Sequence, residues 1–149
     1  MLDATEMREE HEAVRVLIVD DQASFRRAAR GVVDLTPGFL VAGEAGTGEA
    51  SVDAARALRP DLVLMDVHLP GIDGLEASRR ILAAGGQRPV IVLLSTYEAA
   101  EYLDRPPACG AAAYLTKAEL DSERLSVAWA AATASGSGSA PPDSSGTRP

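Results

Sequence analysis

The stretch PDLVLMDVHLPGIDG, residues 60–74, decides how the chain folds. Leu62 to Val67 is a short, almost wholly apolar run broken only by Asp66. A run of that length bounded by turn signals suits a central strand covered on both faces. Pro70-Gly71 and Asp73-Gly74 are two turn signals in close succession, and Leu75, Ile81 and Leu82 then follow on a helical pattern. Strand, loop and helix in that order form the repeating unit of a parallel α/β sheet.

Outward from this unit the alternation repeats. Upstream, VRVLIV from Val14 to Val19 reads as strand one, again nearly continuous in apolar residues. Phe25, Ala28, Ala29, Val32 and Val33 recur at helical spacing, with Arg26, Arg27 and Arg30 on the other side. Pro37-Gly38 breaks the chain, Phe39 to Ala42 forms strand two, Gly43 to Gly48 a loop, and Glu49 to Leu58 a helix ended by Pro60. Downstream, Val90 to Leu94 is strand four. A fourth helix from Tyr97 to about Arg105 is expected to be short or distorted, because Pro106-Pro107 cannot continue it. Ala111 to Leu115 is a weak fifth strand, and Leu120 to Ala132 a last helix burying Leu125, Ala128 and Trp129. The expected fold class is α/β, a doubly wound five-stranded parallel sheet with helices on both faces, in one domain over residues 13–134. Residues 1–12 hold five acids and one arginine, an acidic mobile or loosely helical extension. Residues 135–149 are a Gly/Ser/Pro tail expected to be disordered for want of apolar surface.

Composition narrows the function. The chain has 149 residues and a formal net charge of −8, from 14 Lys+Arg against 22 Asp+Glu. Phosphate backbones need a basic face, so direct nucleic-acid binding is not expected. The single cysteine, Cys109, has no partner for an internal disulfide or a zinc site, which fits a small apolar filler in a reducing compartment. No apolar run approaches the ~20 residues that span a bilayer, and no signal core follows the charged start. A cytoplasmic protein is expected. Gly43, Gly46 and Gly48 have the wrong spacing, after the wrong strand, for a dinucleotide fingerprint.

Ligands of open α/β sheets sit beyond the carboxyl ends of the strands. Polar groups collect there: Asp20 and Asp21 after strand one, Asp66 at strand three, Ser95 and Thr96 after strand four, Thr116 and Lys117 after strand five. Three carboxylates at one edge repel unless a cation or proton intervenes, and Mg²⁺ suits an open site with one or two carboxylates and a phosphate oxygen. Lys117, the chain's only lysine, and the Ser95 hydroxyl add charge and a donor suited to a phosphoryl group. Asp66, central in the sheet, is then the nucleophile that would take phosphoryl to give an aspartyl phosphate.

These residues bring a family into view. VLIVDD, PDLVLMDVHLPGIDGLEA, VIVLLST and AAAYLTK stand in the order and approximate spacing of the receiver domain of bacterial two-component response regulators. The segment from about Val14 to Ala132 closely resembles that domain, and VAGEAGTGEA is most similar to receivers of NarL/LuxR-type transcription regulators. The resemblance implies a flavodoxin-like sheet of strand order 2-1-3-4-5. It implies Asp66 as phosphoacceptor, with Mg²⁺ held by Asp21, Asp66 and the backbone carbonyl of His68, and by Asp20 largely through water. It further implies Lys117 as the phosphate-binding lysine, Ser95 as the switch hydroxyl and Tyr114 as the switch aromatic. A sensor histidine kinase would be the donor, a downstream protein of unknown identity the receiver of the signal, and a homodimer is among the assemblies it allows. Neither membrane nor direct nucleic-acid binding belongs to the expectation, and the only catalysis is self-phosphorylation and dephosphorylation.

Two departures stand out. Ala118 follows Lys117 where many receivers have proline, and Pro106-Pro107 falls where a helix of the usual output surface would run. His68 and Tyr97 occupy positions that tune dephosphorylation in the family, and the bulk of His68, Thr96 and Tyr97 is expected to restrict water and lengthen the phosphorylated lifetime. Three competing readings are a Mg²⁺-dependent phosphotransferase or phosphatase, a receiver fold that binds partners regardless of phosphorylation, and a truncated NarL/LuxR-type regulator.

Overall fold

A computed structural model describes residues 13–86, 88–96 and 109–139. In chain order the elements are β1 (Val14–Val19), α1 (Ala23–Asp34), β2 (Phe39–Ala45), α2 (Gly48–Leu58), β3 (Leu62–Asp66), α3 (Gly74–Ala83), β4 (Val90–Ser95), β5 (Ala113–Thr116), a 3₁₀ turn (Lys117–Glu119) and α4 (Ser122–Ser139). The five strands form one sheet of order β2-β1-β3-β4-β5, parallel at every pairing.

The apolar strands are explained by two cores, one on each face. Leu17, Val19, Val63, Met65, Ile91 and Leu93 point to one side and pack with Ala77 and Ile81 of α3 and with Val52 and Ala55 of α2. Val16, Ile18, Leu62, Leu64, Val92 and Leu94 point to the other and pack with Ala29 and Val33 of α1 and Leu125 of α4. Alternate residues serve opposite faces, so a strand buried on both reads as unbroken apolar sequence. Each fully buried leucine or valine contributes roughly 1.5–3 kcal/mol. Trp129 of α4 meets Phe39 edge-on at 6.4 Å between ring centres, closing the second core at the β2 end.

Several boundaries differ from the sequence reading, each for a local reason. β2 runs through Gly43 and Glu44 to Ala45, past the expected end at Ala42. The register against β1 slips between Val16 and Leu17, which pair with Val41 and Gly43. A Cβ on Gly43 would lie 2.6 Å from Leu58 Cδ1, so this glycine admits the end of α2 against the strand and does not mark a loop. Asp66 is the last residue of β3 and Ser95 the last of β4, while β5 starts at Ala113 and ends at Thr116. Asp121 caps α4, its Oδ1 accepting from the Arg124 N–H at 2.7 Å. That helix continues past the expected end at Ala132, through the first Ser and Gly residues of the expected tail, to Ser139. Extending a formed helix fixes one residue per added bond, a smaller cost than starting one. The helix expected over Tyr97 to Arg105, Pro106-Pro107, and the extension of residues 1–12 lie outside the described residues. Among the described residues no helix is long and apolar enough to cross a membrane.

Candidate functional site

The site lies at the carboxyl edge of β1, β3, β4 and β5, where the sheet order sets Asp20, Asp66, Ser95 and Lys117 side by side. Asp66 is buried at the end of the central strand. Its Oδ1 accepts from the His68 N–H at 3.2 Å, and its Oδ2 lies 3.5 Å from Lys117 Nζ. Asp20 has no exposed surface and makes the closer ion pair, Oδ2 to Lys117 Nζ at 2.6 Å. The other Asp20 carboxylate oxygen accepts from the Gln22 N–H at 2.8 Å, which also shapes the entry to α1. Asp21, the next residue, is exposed, and one carboxylate oxygen from each of Asp20, Asp21 and Asp66 lies within 4.8 Å of the others.

Two neighbours hold this geometry that the sequence reading had assigned to other duties. Phe25 belongs to the buried stripe of α1, and Lys117 Nζ sits 4.8 Å from the centre of its ring. Gly74 was a turn signal; a Cβ there would lie 2.1 Å from the Asp66 carbonyl oxygen. The loop after β3 folds back onto Asp66 only because that Cβ is missing. Asp73 before it caps α3, accepting from the Glu76 N–H at 2.8 Å, and the D-x-x-E spacing of a capping box was the signal available in sequence. At the fifth strand, Glu119 accepts from the Thr116 N–H at 2.8 Å, fixing the turn that starts with Lys117.

Electrostatics follow from two buried acids sharing one lysine. Burial pushes the Asp66 carboxyl up and the charge of Asp20 adds to it; Lys117 and the His68 N–H act in the opposite sense, leaving Asp66 at about 6. Burial of the Lys117 ammonium lowers its affinity for protons, but its bond to Asp20 and the charges of Asp66 and Asp20 outweigh this and hold it above the ordinary lysine value. An acid pushed up to about 6 beside a second buried carboxylate sits in a cluster short of positive charge. The donor set is oxygen only, so the cation it fits is a hard one such as Mg²⁺.

The remaining expected residues are placed around this centre. Ser95 is fully buried, and its hydroxyl has no hydrogen-bond partner among the described residues. In register it stands one residue beyond Leu94, the β4 partner of Asp66, and opposite Thr116 of β5. Tyr114 of β5 is half-buried against the core shared with α2 and α3. The side chains of His68 and Thr96 are exposed at the rim, and Tyr97 lies outside the described residues.

This arrangement, a 2-1-3-4-5 parallel sheet with an acid trio and a lysine at its carboxyl edge, defines a phosphoacceptor-type α/β domain. The response regulator receiver domain family matches residues 16–129, and the chain belongs to that family. It is 36% identical over 119 residues to the uncharacterized transcriptional regulatory protein YxjL of Bacillus subtilis, covering 80% of this chain and 54% of that protein. To the response regulator GacA of Pseudomonas aeruginosa it is 39% identical over 104 residues, 70% of this chain and 48% of GacA. The chain thus spans about half the length of these curated relatives. Its fold overlays a LuxR-family two-component response regulator from Aurantimonas with a TM-score of 0.72 and 28% identity, covering 82% of this chain and 86% of that one. It is a receiver domain of two-component signalling.

Proposed function

We propose that Asp66 accepts a phosphoryl group from a phosphohistidine of a cytoplasmic sensor kinase. The observation that carries this is the buried Asp66 carboxylate at the end of the central strand, sharing the chain's only lysine with a second buried acid. In the transfer the N–P bond of the donor breaks and an O–P bond forms to an Asp66 carboxylate oxygen. The electron pair stays on the imidazole nitrogen, which takes up a proton. Asp20, Asp21 and Asp66, with the His68 carbonyl, are the groups that would hold Mg²⁺. When bound, that ion supplies positive charge against the carboxylates and the incoming phosphoryl oxygens. Lys117 carries the second positive charge to the same group, and the 3.5 Å separation from Asp66 already puts it within reach. The Asp20 ion pair keeps the ammonium at the pocket before phosphoryl arrives.

The buried Ser95 hydroxyl, without a partner among the described residues, supports its role as the donor drawn to a phosphoryl oxygen, with Tyr114 following and altering the surface at β5 that a downstream protein reads. Incubating the chain with phosphoramidate and Mg²⁺, then measuring intact mass, tests the reading. The expected result is one added phosphoryl in the wild type and none in Asp66→Asn. A folded wild type that gains no phosphoryl, or an Asp66→Asn variant that gains it equally, would overturn the assignment.

A further inference from the structure

Asp20 is fixed at four atoms. Its N–H donates to the Ala45 carbonyl at 3.1 Å, and its two carboxylate oxygens meet Gln22 N–H and Lys117 Nζ. Its own backbone carbonyl accepts from Arg26 Nη1 at 2.7 Å. Arg26 is in turn held from the other side: its Nε donates to Glu44 Oε1 at 3.1 Å, while Arg30 Nε donates to Glu44 Oε2 at 2.8 Å. The guanidinium therefore spans from Glu44, near the end of β2, to the loop after β1, using two nitrogens of its rigid fork for two different segments. Gly46 lies alongside it, where even a Cβ would stand at ordinary contact distance, 3.5 Å from Nη1.

We propose that Arg26 is a positioning residue for the acidic loop, holding Asp20 and Asp21 in the arrangement that a divalent cation requires, with Glu44 as its anchor. This rests on the metal-binding reading of the carboxylate trio. A fixed positive charge beside a cation site should by Coulomb's law alone weaken cation binding, so deleting it should tighten the site. A positioning role predicts the opposite sign, because an outer partner that orients ligands raises affinity.

Mn²⁺, an oxygen-seeking divalent ion, is the probe, with free Mn²⁺ followed by its paramagnetic resonance signal and each variant confirmed folded by circular dichroism. The expected result is that Arg26→Met raises the Mn²⁺ dissociation constant about tenfold. Arg26→Lys keeps the charge and loses the fork, so it should recover part of the affinity and still bind about threefold more weakly than wild type. Arg30→Met, which leaves the bond to Asp20 intact, should bind as wild type does. Unchanged or tighter binding in Arg26→Met overturns the proposal, as does an equal loss in Arg30→Met. Should Arg26→Met fail to fold, wild-type affinity in Arg26→Lys overturns it. A wild type that binds no Mn²⁺ overturns the metal reading itself and this role with it.

Discussion

Asp66 and Glu44 are both acids at or near the carboxyl ends of parallel strands, and both face cations, yet their surroundings act on them in opposite directions. Glu44 has two partners, Arg26 and Arg30, on a rim where its side chain keeps 28% of its exposure. The hydrogen bond from Arg30, only partly offset by burial and reinforced by Arg26, holds its carboxyl below the usual glutamate value. Asp66 shares one lysine with Asp20, beneath the surface, and is pushed up to about 6. The ratio of acids to cations and the depth of burial account for the contrast. Where cations outnumber acids the cluster is complete and ties elements together. Where acids outnumber cations it is left short of charge and can accept a metal ion or a phosphoryl group's neutralising partners. Folding tolerates the second kind of cluster at a cost in stability, and that cost can be measured.

The largest expected effect comes from removing the one cation that, among the described residues, pairs with Asp20 and Asp66. Lys117→Met leaves Asp20 and Asp66 facing each other without compensation. At pH 7.5 without metal it should destabilise the domain by about 2–3 kcal/mol, less than the ~3–5 kcal/mol for breaking a fully buried pair, because the lysine is 18% exposed. Urea unfolding reads this directly. Asp66→Asn removes the repulsion instead and should stabilise the metal-free protein by about 1–2 kcal/mol while abolishing phosphoryl uptake. The double variant should lie well above Lys117→Met, since the two changes act on one interaction. A destabilised Asp66→Asn, or simple additivity, would break the comparison.

Much of this was legible in the sequence, and the limits were physical. Asp20, Asp21, Asp66, Ser95 and Lys117 could be found because each sits at the end of an apolar run, and a parallel sheet brings strand ends together whatever the helices do. Glu44 and Arg26 could not. Glu44 lay in a stretch whose glycines read as loop, and only the slipped register and the contact of Gly43 with Leu58 show it to be strand. Arg26 lay on the polar face of a helix, where a single sequence gives no reason to prefer it to Arg27. Its partner is a main-chain carbonyl, which leaves no mark in residue identity. Gly74 carried a turn signal that was correct in kind and silent about the Asp66 carbonyl it admits.

The comparison also predicts how stability changes with pH. Asp66 titrates at about 6 in the folded chain against an ordinary value of 3.8, so between those values the native state holds a proton that the unfolded state has lost. Its contribution is therefore most favourable below about pH 4, and stability falls as pH rises toward about 6, by roughly 2 kcal/mol in the absence of metal. Urea midpoints across this range in chelator should show the fall after subtraction of the Asp66→Asn profile, which lacks it. Mg²⁺ in excess should flatten the fall, since the ion replaces the proton as the neutralising charge. A wild-type profile parallel to that of Asp66→Asn would remove the distinction between the two clusters.

The smallest effect belongs to the satisfied cluster and has the opposite sign. Glu44 is held below its ordinary value, so its contribution is complete above about pH 4.5 and is lost as pH falls through the lower folded value. Glu44→Gln should therefore destabilise the domain at pH 7 by only about 0.2–1 kcal/mol, as expected for a pair open to water and screened by salt. Raising the salt concentration should shrink that difference further. The same neutralisation, acid to amide, thus stabilises at Asp66 and destabilises at Glu44. Measuring both variants in one urea series at pH 7 tests the contrast without reference to phosphorylation. Two shifts of the same sign would mean that burial and cation count do not separate the binding cluster from the structural one.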